Sequence, residues 1–245
     1  MKLFGLTDVG CVREDNQDSY AFHNLDDEMA VMVVCDGMGG EQAGNVASAV
    51  AVETFSAAVE AELASGVPDD PERREDVLAS ACQRANRRVY ELARDNPKYR
   101  GMGTTLVAVL VLPEESYVVN VGDSRCYLLE NGTIRQITVD HSVVQLLVDR
   151  GEITVEEARI HPKKNLITRA LGVERTVSYD LIRVENEPGS RLLLCSDGLS
   201  NVLPDKVLVQ EARREADPEL LCRRLLSMTL EQGAPDNVTV VLAQL

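Results

Sequence analysis

The stretch Met29-Ala30-Val31-Met32-Val33-Val34-Cys35-Asp36-Gly37-Met38-Gly39-Gly40 decides the fold. Its unbroken apolar run, rich in β-branched residues, reads as a strand buried on both faces, because a strand with one wet face would alternate apolar and polar residues. The run ends in Asp36, and an unpaired carboxylate cannot lie inside a core, so this strand must end on the rim of its sheet. Runs of the same character follow at Thr104 to Leu112, Tyr117 to Val121, Leu192 to Cys195 and Val238 to Leu242. Two of them also run into an aspartate, through Val121-Gly122-Asp123 and Cys195-Ser196-Asp197, and the last is preceded by Asp236-Asn237.

Between these strands the periodicity changes. Glu41 to Leu63 places Val46, Val50, Phe55, Val59 and Leu63 at helical spacing, and Val77, Ala81, Ala85, Val89 and Leu92 repeat the pattern. Gly66 to Pro71 is the polar break between the two helices. From Leu106 onward, hairpin-like breaks at Pro113-Glu114-Glu115 and Asn131-Gly132 favour antiparallel pairing over a βαβ alternation. Ser142 with Gln145 and Thr154 with Glu157 read as two capping boxes, so residues 142–170 form a small helical insertion. A helix pair around Lys206 to Arg214 and Pro218 to Glu231 precedes the final strand. The expected class is α+β, built on antiparallel sheets.

The composition narrows the function classes. The chain has 245 residues, 44% of them hydrophobic, which suits one large domain or two small ones with a real core. Its 25 Lys and Arg against 40 Asp and Glu leave a net charge of −15, which repels phosphate backbones and argues against a nucleic-acid partner. No apolar run approaches the ~18 residues of a membrane helix, and the first residues lack a signal-peptide core, so neither spanning nor secretion is expected. The six cysteines stand singly with no CxxC spacing, which fits reduced thiols in a cytoplasmic protein.

If the strands are antiparallel neighbours, the ends carrying Asp36, Asp123, Asp197 and Asp236 meet, and a divalent cation is the usual remedy for their repulsion. Oxygen ligation points to Mg²⁺ or Mn²⁺, since neither the three histidines nor the cysteines show zinc spacing. Taken singly, each aspartate reads equally well as the start of a turn. Arg13, in the polar cluster Arg13 to Asp18, is either a bidentate clamp for an anion or part of a solvated charge run. The glycines of Asp36 to Gly40, just before a long helix, allow its amides to face an anion, but Gln42 stands where a dinucleotide fingerprint needs glycine. Cys82 and Arg88 match the Cys-x5-Arg spacing of thiolate phosphatases only by chance, because they lie in an amphipathic helix whose amides are engaged internally. His141, beside a capping serine, reads as structural.

These pieces stand in a familiar order. Thr7-Asp8-Val9-Gly10 with Arg13 and Asn16-Gln17-Asp18, Asp36-Gly37-Met38-Gly39-Gly40, Gly103-Thr104-Thr105, Gly122-Asp123-Ser124-Arg125, Leu171-Gly172, Ser196-Asp197-Gly198 and Asp236-Asn237-Val238-Thr239 resemble the metal-dependent type 2C serine/threonine phosphatases, bacterial members above all. The resemblance spans nearly the whole chain. It implies a single domain over residues 1–245, a four-layer αββα sandwich of two antiparallel sheets flanked by helices, with residues 142–170 as a mobile flap. It further implies two core Mn²⁺ or Mg²⁺ ions held by Asp36, Asp197, Asp236 and the Gly37 carbonyl, and a weaker third ion at Asp123 and Asp197. Arg13 becomes the phosphate clamp and Asp18 an outer carboxylate. Lys163 and Lys164, in a locally basic part of the flap, are candidates for meeting the substrate.

The implied reaction is hydrolysis of phosphoserine or phosphothreonine by a metal-activated water, without a covalent intermediate. Met38 and Gln17 depart from the eukaryotic pattern, where a proposed acid histidine and an acidic residue stand; water then supplies the leaving-group proton. The expected partners are phosphorylated proteins, targets of a serine/threonine kinase and the kinase itself, and the chain is expected to be a monomer. Two alternatives differ in kind. A two-metal nuclease would need a basic track, and a catalytically weak regulatory module would have lost one of the core aspartates.

Overall fold

Each long apolar run in the computed structural model is sorted residue by residue between two cores. The structure describes residues 1–39 and 43–245 with their side chains, and residues 40–42 only as part of a helix. In strand β3 (Ala30–Met38), Val31, Val33 and Cys35 face one core while Ala30, Met32 and Val34 face another. Strand β5 (Leu106–Val111) does the same, with Leu106, Ala108 and Leu110 on one side and Val107, Val109 and Val111 on the other. The period-2 alternation of side chains therefore buries every residue from Ala30 to Cys35 and from Leu106 to Val111, which is why these runs show no polar stripe.

The first core lies beneath helices α1 (Gly40–Leu63) and α2 (Pro71–Asp95), which contribute Ala47, Phe55, Val59, Leu78, Ala85 and Val89. The second lies between the two sheets. A third core joins the opposite sheet to helices α6 (Asp205–Arg214) and α7 (Pro218–Glu231) through Leu193, Cys195, Val240 and Leu242 against Leu208, Leu221 and Leu225. Three stacked cores make four layers, αββα.

One sheet runs in the order β2 (Asp18–Asn24), β3, β5, β6 (Glu115–Val121) and β9 (Asp180–Glu185), with the two-residue strand β4 (Gly103–Thr104) beside β3. The other runs β1 (Lys2–Asp8), β11 (Val238–Gln244), β10 (Arg191–Cys195), β7 (Arg125–Glu130) and β8 (Thr133–Gln136). Every pairing is antiparallel. The β7–β8 hairpin closes on Asn131 and Gly132, at φ 49° and 69°, the left-handed pair that a two-residue hairpin turn requires.

Two local expectations need correction. The run from Thr104 to Leu112 is interrupted at Thr105, whose hydroxyl accepts from the Asp36 amide at 2.9 Å, so it forms β4 and β5 in one register along β3. Thr154 and Glu157 form the full capping box at α4 (Val155–Ile160). At α3 (Val143–Asp149), however, Ser142 only accepts from the Gln145 amide at 3.1 Å, because the Gln145 side chain donates forward to Asp149 at 2.7 Å.

Candidate active site

Antiparallel order fixes which strand ends meet. β3 and β6 run in the same direction, so their C-terminal ends carry Asp36 and Gly122-Asp123 to one edge of the sandwich. In the facing sheet the C-terminal end of β10 leads into Asp197, the first residue of the short helix α5 (Asp197–Ser200), and β11 begins just after Asp236-Asn237. β2 adds a fifth carboxylate, since Asp18 is the register partner of Asp36.

Asp18 is 7% exposed and joins the two sheets: its Oδ2 accepts from Ser196 Oγ and from Thr239 Oγ1, each at 2.7 Å. Its Oδ1 is buried without a partner. Burial outweighs the two hydroxyl bonds and pushes the Asp18 carboxyl up to about 7. Asp197 Oδ2 accepts from Asn201 Nδ2 at 2.9 Å, while its Oδ1 is also buried and unpartnered. Burial, with Asp236 nearby, lifts Asp197 to about 6, and Lys164 and Arg125 pull it partly back. Asp36 is raised well above the usual carboxylate range by burial and by the charges of Asp18, Asp197, Asp123 and Asp236. Asp123, 7% exposed, is raised for the same first reason and by Asp197 and Asp140. An edge that holds so much negative charge at a cost has room for cations.

Two glycines let these carboxylates approach. A Cβ on Gly37 would stand 2.1 Å from the Gly44 carbonyl oxygen, and one on Gly198 would stand 1.9 Å from that of Asn237. The segment 9–17 is tied down by Asn237, whose Oδ1 accepts from the Gln17 amide at 2.8 Å and whose Nδ2 donates to the carbonyls of Val9 and Asp15 at 2.9 and 3.0 Å. That bracket delivers Arg13 to the rim, where its Nη2 donates to Asp236 Oδ2 at 2.8 Å and the guanidinium is held more firmly protonated. Arg13 is 56% exposed, so the same fork can exchange this carboxylate for a phosphate oxygen.

These groups surround a cleft of about 510 Å³. Such an edge, on such a sandwich, has known relatives. The family model described as Protein phosphatase 2C matches residues 12–232. The chain belongs to the protein phosphatase 2C family. It is 38% identical over 238 residues to the serine/threonine phosphatase stp of Listeria welshimeri, covering 97% of this chain and 93% of that protein. Among solved structures, Stp1 from Staphylococcus aureus superposes with a TM-score of 0.91 at 35% identity, covering 100% of this chain and 94% of the other. The catalytic domain of the phosphatase PstP, in complex with two manganese ions, superposes with a TM-score of 0.83 at 35% identity, covering 99% and 97%. The protein phosphatase 2C family is metal-dependent, and the donors here suit a hard divalent cation: they are oxygens only, and one carboxylate oxygen of Asp197 is buried and orphaned. Among the described residues no three His, Cys, Asp or Glu side chains are already drawn into a closed cage. Arg13 occupies one oxygen of Asp236.

In this phosphatase the residues singled out from sequence are distributed as follows. Arg13, Asp36, Gly37, Asp123, Asp197 and Asp236 all line the cleft, and Asp18 lies behind it against Ser196 and Thr239. The segment 142–170 reaches the cleft through Asn165 and Ile167. Lys164 instead lines an adjoining cavity of about 210 Å³ that shares Asp123 and Asp197, and Lys163 lines neither. Of the other basic residues in this segment, Arg159 donates to the Ser200 carbonyl at 3.0 Å and Arg169 to Asp180 at 2.8 Å. His141 is structural, accepting from the Gly122 amide at Nδ1 (3.1 Å), with Nε2 left to donate to Asp180 at 3.0 Å. Cys82 is buried within α2, and burial pushes its thiol up to about 12, far from a thiolate. Sequence reading overlooked the bracket role of Asn237, which its place directly after Asp236 could have signalled, and the use of Thr105 to hold the Asp36 amide, 69 positions away, which no local signal marks.

Proposed function

We propose that this chain is a serine/threonine phosphoprotein phosphatase whose two core Mn²⁺ or Mg²⁺ ions are held by Asp36, Asp197, Asp236 and the Gly37 carbonyl, with a weaker third at Asp123 and Asp197. The observation that carries this reading is the convergence of Asp36, Asp123, Asp197 and Asp236 from both sheets on one cleft at the edge of the sandwich. The ions would supply a water activated at neutral pH for attack on phosphorus.

The rest falls to the chain. Asp18, bonded to Ser196 and Thr239, holds the two sheets at the spacing the site needs. Arg13 binds and orients the nonreacting phosphate oxygens. Among the described residues the cleft has no serine or cysteine, its one hydroxyl, Thr105 Oγ1, already accepts from the Asp36 amide and shares a hydrogen bond with Ser124 at 2.7 Å, and its core aspartates would be taken up by the metal ions. That favours attack by water with no covalent intermediate. Among the described residues no histidine lines the cleft, which favours water as the source of the proton for the leaving alkoxide.

The substrates on this reading are phosphorylated proteins, targets of a serine/threonine kinase and the kinase itself, met by a monomer with one catalytic domain and a flap at 142–170. Among the described residues no helix is long and apolar enough to cross a membrane. Six free cysteines, five of them buried, support a cytoplasmic setting.

The test is hydrolysis of a phosphothreonine peptide, a small aryl phosphate and an oligonucleotide with Mn²⁺ or with chelator. Metal-dependent turnover of the first two with no trapped phospho-enzyme is expected. Full activity of a sample shown by elemental analysis to be metal-free would overturn the two-metal reading.

A further inference from the structure

A second groove, about 650 Å³, opens beside the catalytic cleft and shares Met38, Asn165 and Ile167 with it. That volume lies within the roughly 300–1,000 Å³ of ligand-binding clefts. One wall is the flap end around Leu166 and the other is the segment around Val173, and these two side chains are 50% and 57% exposed. The floor is closed by an absence. A Cβ on Gly103 would stand 2.8 Å from Met38 Cε and 3.3 Å from Val173 Cγ2, so glycine in β4 lets these two side chains close over the strand.

The Val173 wall is built rather than loose. Asn86, fully buried in α2, accepts from the Gly172 amide at 2.8 Å and donates to the carbonyls of Glu174 and Arg175, each at 3.1 Å. Gln83 holds the Val177 carbonyl at 2.7 Å, and Leu171 bridges to Thr104 in both directions. Two polar side chains from a core helix thus fix the backbone of a surface groove.

The groove carries no spare positive charge. Arg169 is committed to Asp180, and Glu174 on the rim adds a negative one. Acidic residues are therefore repelled, while apolar ones find Met38, Ile167, Leu166 and Val173. A phosphate bound at the aspartate edge brings its polypeptide past the shared walls, and an extended chain advances ~3.3 Å per residue, so positions next to the phosphorylated residue reach this groove.

We propose that the groove seats an aliphatic side chain of the substrate, within about three residues of the phosphorylated serine or threonine. This rests on the phosphatase reading and adds a sequence preference to it. The occupant is the phosphoprotein itself because the groove is continuous with the cleft that holds its phosphate.

The experiment compares phosphothreonine peptides that differ only in leucine, serine or aspartate at each flanking position, with a small aryl phosphate as control, on the native chain and on Val173→Ser and Leu166→Ser. Both residues are half exposed, so the substitutions spare the fold, and melting temperatures check this. At one flanking position leucine is expected to raise kcat/KM about tenfold over serine, or about 1.4 kcal/mol, with aspartate the poorest. Each variant should lose most of that preference while hydrolysing the aryl phosphate normally. Peptides hydrolysed equally, or a preference that survives both substitutions, overturn the proposal and leave the phosphatase reading standing. Loss of turnover on every substrate in the native chain overturns both. Concentration-dependent dimerisation abolished by Val173→Ser assigns the groove to a second copy and overturns the substrate assignment.

Discussion

Acidifying the metal-free protein from pH 8 to pH 6 should stabilise it. An acid whose pKa is raised by folding binds protons in the native state that the unfolded chain does not hold, so stability is greatest below the unfolded pKa and is lost as pH rises through the folded one. Asp18, at about 7, and Asp197, at about 6, place that loss in the window chosen. Over these two pH units the two together contribute about 2 kcal/mol. Asp36 and Asp123 act in the same direction. His141, lowered by burial, loses stability as pH falls and opposes them by less than ~1 kcal/mol. The net of at least ~1 kcal/mol corresponds to a Tm rise of about 2–4 °C for a chain of this size. Saturating Mn²⁺ should flatten or reverse the trend, because the cation binds the ionised carboxylates and competes with protons. Differential scanning calorimetry in chelator and in Mn²⁺ reads both. A metal-free Tm that is flat or falls on acidification refutes the reasoning, as does Asp18→Asn showing the full rise, since general relief of the −15 charge would then explain it.

Three further outcomes are expected. Asp36→Asn and Asp197→Asn should each weaken Mn²⁺ binding in calorimetric titration and lower kcat/KM by at least about a hundredfold, whereas Asp18→Asn, acting from behind the cleft, should cost about ten- to a hundredfold in metal affinity. Arg13→Ala should raise KM for a phosphopeptide about tenfold with little change in kcat, below the full worth of a charge-assisted bond because the arginine is half solvated; unchanged constants would remove it from the site. Gly198→Ala should destabilise the fold by about 1–3 kcal/mol in denaturant titration, because the new methyl meets the Asn237 carbonyl.

The strands that reveal themselves in the sequence are those buried on both faces. β3, β5, β6, β10 and β11 carry almost unbroken apolar runs because helices cover one side and the other sheet covers the second. β1, β8 and β9, at or near sheet edges, are half exposed and mix charged with apolar residues, so no run marks them. The rim aspartates are legible for a related reason, since a carboxylate directly after a buried run has one place to go. What joins them is not legible: Arg13 and Asp236 stand 223 positions apart, and Asn237 reaches Val9, Asp15 and Gln17 across a similar separation. Such contacts follow from strand order, which local pattern does not encode.

That strand order also sets when the enzyme comes into being. β11 lies between β1 and β10, and β1 has no other partner in its sheet. On the ribosome, β1 must wait for β11, and Asp236 arrives just before it, so any nascent chain that has not yet reached β11 is a phosphatase without a site. Pairings this distant in sequence also form slowly. A cell making this protein therefore gains its activity as a single event, when β11 pairs, rather than strand by strand.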